Sequence, residues 1–464
     1  MADNRMKDLT RGVPMKLLLS FMLPMLLGML FQQFYNMVDT VVVGQALGVE
    51  ALAGVGSTGS INFLVLGLCN GLCAGFAIPV AQKFGQRDYR GLRRFVGNML
   101  WLTAIFAVVI TAVTTALCRR ILSWMNTPAD TFSYAYDYIF LIFLGIPATM
   151  LYNLLSGIIR SLGDSKTPLY FLIFSSLLNV ALDVLFILML HMGVAGAGIA
   201  TLLSQLVSGI LCLLFALKRF PVLRLDPADF LPDRSVILRL LTMGLPMGMQ
   251  YSITAVGSIL LQTSVNSLGA AAMAAVTAGS KVSMFAVTPF DAIGSTAATF
   301  AGQNIGAGKP ERVREGVKDA SILGVGYSIL ALIGLSLFGG NLSAIFLDAD
   351  SAEAMNVILP MSRRFLMCNA IFYVPLLYVN LLRFTIQGLG YSGLAVVAGV
   401  FEMIARGLFG LCLVPLLGFE AVCFANPAAW ALADLFLYPA YERCMRLKGC
   451  PRSPGVVLPI RKQA

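Results

Sequence analysis

Two acidic residues interrupt long apolar stretches in the first half of the chain, Asp39 and Asp183. A carboxylate in apolar surroundings is costly, so one kept there must take up a proton, a cation or a partner charge. Asn179 lies one helical turn before Asp183 and shares its face, and Thr201 stands in the following apolar stretch. Counted at helical rise from the nearest punctuation, Asp39, Asp183 and Thr201 lie about 7, 10 and 12 Å below the same end of their stretches. Two carboxylates, an amide oxygen and a hydroxyl at one level suit a hard monovalent cation, or a carboxyl pair sharing one proton. The chemistry is ion exchange, with no bond made or broken. The competing reading is that water wets these residues in a vestibule and that they serve packing alone.

The second half carries Lys281, Asp291, Arg383, Glu402, Arg406 and Asp434 in its apolar stretches, three charges of each sign. Glu402 and Arg406 are four apart on one helix face and can pair directly, so this set is expected to be a structural network that neutralises itself. No Lys or Arg is expected inside the apolar stretches of the first half, which leaves Asp39 and Asp183 without a counter-charge. Gln32, Gln33, Tyr35 and Asn36 add a polar face beside Asp39 and are expected to line a substrate cavity. Pro24 removes a backbone hydrogen bond and is expected to bend its helix as a hinge. The chain has nine cysteines with no CxxC pair, and His191 is its one histidine. Neither a metal centre beyond a possible Na+ nor a catalytic site follows from that inventory. No cofactor is expected other than H+ or Na+ as coupling ion, and no enzyme activity.

The elements that must hold these residues are set by composition. Of 464 residues 58% are hydrophobic and 12% charged, against about 25% charged in soluble domains. Mean hydropathy is +0.82. A soluble enzyme is excluded, as is an outer-membrane barrel, because the apolar runs are near 20 residues and do not alternate. Twelve helical spans are predicted near 17–43, 51–81, 96–117, 134–158, 168–190, 194–217, 236–266, 271–302, 319–338, 360–386, 393–415 and 421–441. The first is too long for a cleaved signal. With the N-terminus cytoplasmic, 26 of the 33 Lys and Arg fall on the inner side, Arg160 and Lys166 among them. Arg119, Arg120, Arg363 and Arg364 fall outside. That asymmetry places both termini in the cytoplasm and accounts for the net charge of +10 without nucleic acid. Asp348, Asp350 and Glu353 read as a solvated outer loop.

The halves resemble each other. Leu18 to Met25 parallels Leu240 to Met247, Leu47-Gly48 parallels Leu268-Gly269, Gln82 and Gly85 parallel Gln303 and Gly306, and Leu162-Gly163 parallels Leu389-Gly390. Six spans per repeat is an even number, so the repeats share one orientation about an axis along the membrane normal. The expected fold is all-α, a polytopic membrane protein of two six-helix lobes: residues 1–217, a cytoplasmic linker 218–235, a second lobe 236–445 and a tail 446–464. At the repeat offsets, Asp39 falls on Leu260 or Leu261 and Asp183 on Leu408, Phe409 or Gly410, so the acids belong to one half only.

Over nearly its whole length the chain resembles the multidrug and toxic compound extrusion (MATE) transporters. The resemblance is carried by Pro24, Gln32-x-x-Tyr35-x-x-x-Asp39, Asn179-x-x-x-Asp183 and Thr201. In the family branch with an N-lobe coupling site, matching residues bind the driving proton or Na+, which implies that role for Asp39, Asn179, Asp183 and Thr201. Another branch places its cation-binding acids in the seventh and tenth spans, where this chain has Gln250, Gln262 and Arg383 instead. The resemblance implies a monomeric antiporter in the cytoplasmic (inner) membrane. It would export amphipathic, often cationic, drugs or metabolites in exchange for H+ or Na+. The alternatives are a lipid-linked saccharide flippase of the same superfamily, which few and balanced intramembrane basic residues disfavour, and a membrane-embedded lipid-processing enzyme. A pore is disfavoured because no ring of repeated charges marks a filter.

Overall fold

Helices take up nearly all of the computed structural model, which describes residues 7–125, 127–347 and 352–450. Asp348, Asp350 and tail residues 451–464 lie outside the described residues. The twelve spans are α1 (Pro14–Leu47), α2 (Glu50–Gln86), α3 (Tyr89–Trp124), α4 (Ala129–Leu144 with Ile146–Ser161), α5 (Lys166–Met189) and α6 (Gly193–Arg219), then α7 (Arg234–Asn266), α8 (Ala270–Gly306), α9 (Pro310–Ala344), α10 (Ala354–Ile371 with Tyr373–Gly388), α11 (Ser392–Leu417) and α12 (Phe419–Leu447). Nine are long and apolar enough to cross a bilayer as they stand, and α4 and α10 qualify as bent pairs. The twelfth, α7, is less apolar because Gln250, Thr254, Ser258, Gln262 and Thr263 interrupt it. Most helices extend beyond the predicted apolar cores, and side-chain caps mark the starts of α3 and α7. Asp88 caps α3, its Oδ1 accepting from the Gly91 N–H at 2.8 Å while Lys83 donates to Oδ2 at 2.7 Å. The Lys83 hydrogen bond, then the Gly91 N–H, hold the Asp88 carboxyl below its ordinary range. The cap therefore stabilises at neutral pH and is lost as pH falls through that lowered value.

The six-span repeat recurs in the backbone itself. Left-handed residues fall at Gly48 and Gly269, Arg87 and Gly308, Gly163 and Gly390, and Gly193 and Gly418. Glycine occupies seven of these eight positions because a Cβ disfavours positive φ. The kinks of 46° in α4 and 53° in α10 lie at Gly145 and Phe372. A π-helical turn begins at Val184 in α5 and at Phe409 in α11. These pairs lie at the offsets, 221 to 227, of the sequence matches. The lobes are thus two copies of one chain path.

Each lobe has its own core. Leu72, Phe76, Met99, Ile139 and Phe143 anchor the first, and Phe290, Tyr373, Leu377, Leu382 and Leu437 the second. α1 belongs to both, since Val43 packs in the first core while Leu18, Phe21 and Met25 pack in the second.

The linker between α6 and α7 is docked. It forms two short 3-10 turns, Pro221–Leu223 and Pro227–Phe230, pinned to the start of α3. Asn98, fully buried, donates to the carbonyls of Asp229 (3.4 Å) and Leu231 (3.1 Å) and accepts from the Asp233 N–H at 3.1 Å. Arg93 and Arg94 pair with Asp229 and Asp233 at 3.5 and 3.0 Å. Asn98→Ala should cost about 1–3 kcal/mol by orphaning these groups. The expected readout is a lower melting temperature with faster proteolytic cleavage within residues 220–233; unchanged cleavage would contradict the docking.

Candidate functional site

The lobes meet at the end of the molecule that carries the linker. There α2 and α7 run antiparallel and in backbone contact. A Cβ on Gly75 would strike Gly244 and Met243, one on Gly71 would strike Met247 and Gly248, and one on Gly67 would touch Tyr251. Small residues permit that approach. Nearer the linker end the contact is self-complementary. Gly85 rests on the Gln303 backbone and Gly306 on that of Gln82. Gln82 Nε2 donates to the Gly388 carbonyl at 2.9 Å, and Gln303 Nε2 donates to the Ser161 carbonyl at 2.9 Å. The residues before α1 lie across this closure: the Leu9 N–H donates to Gln303 Oε1 at 3.0 Å, and Lys309 and Arg312 donate to the carbonyls of Thr10 and Gly12. Toward the far end the helices leave room, since nothing lies near Gly56 or Gly59.

The acids come together in the first lobe, in the half away from the linker. Asp39 on α1 is 8% exposed and Asp183 on α5 is 0% exposed, and the two carboxyls face each other at hydrogen-bonding range. With its amide oriented as its neighbours require, Asn179 donates to Asp183 Oδ2 at 2.8 Å. It accepts from the Thr201 hydroxyl at 3.3 Å and the Thr201 N–H at 3.1 Å. Oδ1 of both Asp39 and Asp183 is buried with no hydrogen-bond donor among the described residues. No Lys or Arg pairs with either acid there. Asp183 is the last α-helical residue before the π turn Val184–Met189, a local widening common at functional sites.

The expected cavity-lining face of α1 divides. Tyr35 turns toward the acids and faces Thr201. Gln32 and Asn36 are exposed, and Gln33 is half-buried. Pro24 sits inside a continuous α1. A third hydroxyl at this site, that of Tyr138 on α4, lies next to Asp39, Tyr35 and Asp183. Sequence reasoning missed it, because nothing distinguishes it from Tyr134 or Tyr136 until the helix face is known.

The charge network of the second lobe is smaller than expected. Glu402 bridges two arginines, with Oε1 against Arg383 and Oε2 accepting from Arg406 at 3.2 Å. Arg406 Nε also donates to Asn426 Oδ1 at 3.2 Å. Asp291 and Asp434 lie near Arg383. Lys281 is exposed and takes no part. Gln250, on the seventh span, is buried and accepts from Gln387 Nε2 at 2.7 Å.

One placement overturns the expectation that the first half has no basic residue within its spans. Arg160 is in the last turn of α4 and not in a loop. It lines a cavity of about 80 Å³ between the lobes, with Ala77, Gly157, Met247, Ser295 and Phe384. The sequence signal is the helix stop at Leu162-Gly163, where Gly163 takes positive φ; it puts Arg160 in the last turn of the helix.

A closed two-lobe bundle of twelve spans, with a paired-acid site in one lobe and a cleft between them, defines a membrane transporter architecture. A family model described as MatE matches residues 24–185 and 246–411, once in each lobe. The chain belongs to the MatE family. It is 28% identical over 377 residues to the Probable multidrug resistance protein YpnP of Bacillus subtilis, covering 80% of this chain and 82% of that one. It is 26% identical to the Probable multidrug resistance protein YoeA of the same organism, covering 93% and 94%. Among solved structures, that of a MATE protein in complex with MaL6 superposes with a TM-score of 0.89 at 23% identity, covering 97% of this chain and 100% of that chain.

Because Glu402 bridges two buried guanidinium groups, Glu402→Gln should destabilise the second lobe by about 3–5 kcal/mol. Thermal unfolding in detergent checks this, with Lys281→Ala expected to leave the midpoint unchanged.

Proposed function

We propose that this chain is a cation-coupled antiporter that exports amphipathic small molecules by alternating access, with Asp39 and Asp183 as the coupling site. The observation that carries the reading is the buried, facing pair of carboxyls without a counter-charge. Two ionised carboxylates at that separation repel. The pair is relieved by one shared proton, or by a Na+ held by the carboxylates with the Asn179 oxygen and the hydroxyls of Thr201 and Tyr35. The sidedness of basic residues supports placing the linker end in the cytoplasm of a cell membrane. The multidrug names of the relatives support small-molecule export. One copy holds both lobes and the site, so the monomer is the working unit.

The geometry supplies a mechanism. The closure at the linker end leaves the cleft open to the outside. A proton or Na+ entering there relieves the repulsion between Asp39 and Asp183 and draws α1 against α5. Because α1 also packs in the second core, that movement, hinged near Pro24, is felt by both lobes. Closing of the outer cleft expels substrate, and the Gln82 and Gln303 latches release to open the inner side.

In proteoliposomes with separately imposed pH and Na+ gradients, Asp39→Asn and Asp183→Asn should each reduce gradient-driven drug transport to the level of empty liposomes. Wild-type rates in both variants would sink the assignment. The gradient that drives the wild type identifies the ion. Gly306→Ala places a methyl on the Gln82 carbonyl and should hold the inner side apart. Spin-label distances across the linker end should lengthen relative to wild type, and an unchanged distribution would remove these contacts as the inner gate.

A further inference from the structure

The cavity at the inner closure has an unneutralised positive charge. Arg160 makes no ion pair among the described residues. The ionisable groups that act on it are Tyr152, Cys212, Tyr251 and Cys73, none of which is a carboxylate. The arginines of the second lobe differ: Arg383 and Arg406 share Glu402, and Arg383 also has Asp291 and Asp434 nearby. Asp291, one turn from the cavity-lining Ser295 on α8, is accessible, but its charged neighbour is Arg383 and not Arg160. An uncompensated guanidinium within a membrane protein is expensive and marks a place where an anion is met.

The approach to Arg160 is built to admit something. Along α4 and α2, Asn153 donates to Asn70 at 2.8 Å on the exposed cleft wall. One and two turns further in, the same faces carry Gly157 and Ala74, then Arg160 and Ala77. These small side chains leave the guanidinium uncovered. Met25, Met247 and Phe384 supply apolar surface on the other sides. A planar fork of donors with apolar walls matches a carboxylate, phosphate or sulfonate joined to an apolar body.

We propose that Arg160 is the anchor for an anionic group on the exported substrate, so that amphipathic organic anions, and zwitterions with one anionic end, belong to the substrate class. The inference rests on the transporter reading above and narrows its substrate. It also departs from the expectation of cationic cargo. Substrate and driving ion then occupy different places, the anion at the inner closure and the cation among Asp39, Asp183 and Asn179.

The test is equilibrium binding to the purified full-length protein in detergent, read by fluorescence anisotropy. Fluorescein serves as the amphipathic anion and ethidium as the amphipathic cation. Wild type should bind fluorescein. Arg160→Gln should weaken it by about tenfold or more, and Arg160→Lys should recover part of the loss. Ethidium affinity should be unchanged or higher in Arg160→Gln. Equal loss of both dyes would overturn the proposal and make Arg160 a structural residue, and so would wild type that binds ethidium and not fluorescein. A transport arm with both dyes in proteoliposomes separates the two readings. Fluorescein binding without movement of either dye under any gradient would overturn the transporter reading and leave the binding site standing. Failure of the wild type to bind or move either dye would overturn both.

Discussion

An ionised group surrounded by hydrocarbon must find a counter-charge, a proton or water, and three solutions to that demand coexist in this fold. In the second lobe the demand is met by protein alone: Glu402 stands between Arg383 and Arg406, and Asn426 takes a remaining donor. In the first lobe Asp39 and Asp183 face each other without a basic neighbour. Between the lobes Arg160 faces a cavity. In the first arrangement every charge has an opposite charge beside it, and in the other two it does not. Incompleteness of opposite sign, at two depths, is what the proposed exchange of a cation for a second solute would use.

The duplicated architecture makes this asymmetry visible. Both copies keep the features that shape the backbone, such as the left-handed glycines, the kinks at Gly145 and Phe372 and the π turns at Val184 and Phe409. They also keep the paired glutamines of the closure, each reaching the helix end of the other lobe. Leu408 precedes the second π turn where Asp183 precedes the first. One path has therefore been retained for geometry in both halves and equipped with acids in only one. The common path gives the lobes matched edges where they meet, while the paired acids stand on a single side.

Much of this was legible in the residues. Apolar run length gave the spans, because a bilayer imposes one thickness on every crossing, and even the polar α7 was found from its place between the linker and Gly269. The repeat was readable because turn residues such as Gly48 and Gly163 answer to local backbone sterics. Asp39, Asn179, Asp183 and Thr201 could be grouped by depth, since helical rise converts sequence distance into height. What could not be read was azimuth. Tyr138 differs from Tyr134 and Tyr136 only in the direction its helix face turns, and Lys281 was assigned to a network it does not face. Arg160 was misplaced for a third reason. It lies two residues past the apolar core that marks a span, and hydropathy does not register a helix that continues beyond lipid-length greasiness.

The divided allegiance of α1 bears on how the chain is made. It is the first span to leave the ribosome, yet Leu18, Phe21 and Met25 pack against residues such as Phe290, Tyr373 and Leu437 that are synthesised hundreds of positions later. Until then the leading half of α1 has no core to join, although Val43 and Asp39 at its trailing half can settle among helices of its own lobe. Assembly is thus obliged to leave its first helix half-docked while ten others enter the bilayer. The same division between two cores would carry any movement of one lobe against the other into α1 in the finished protein.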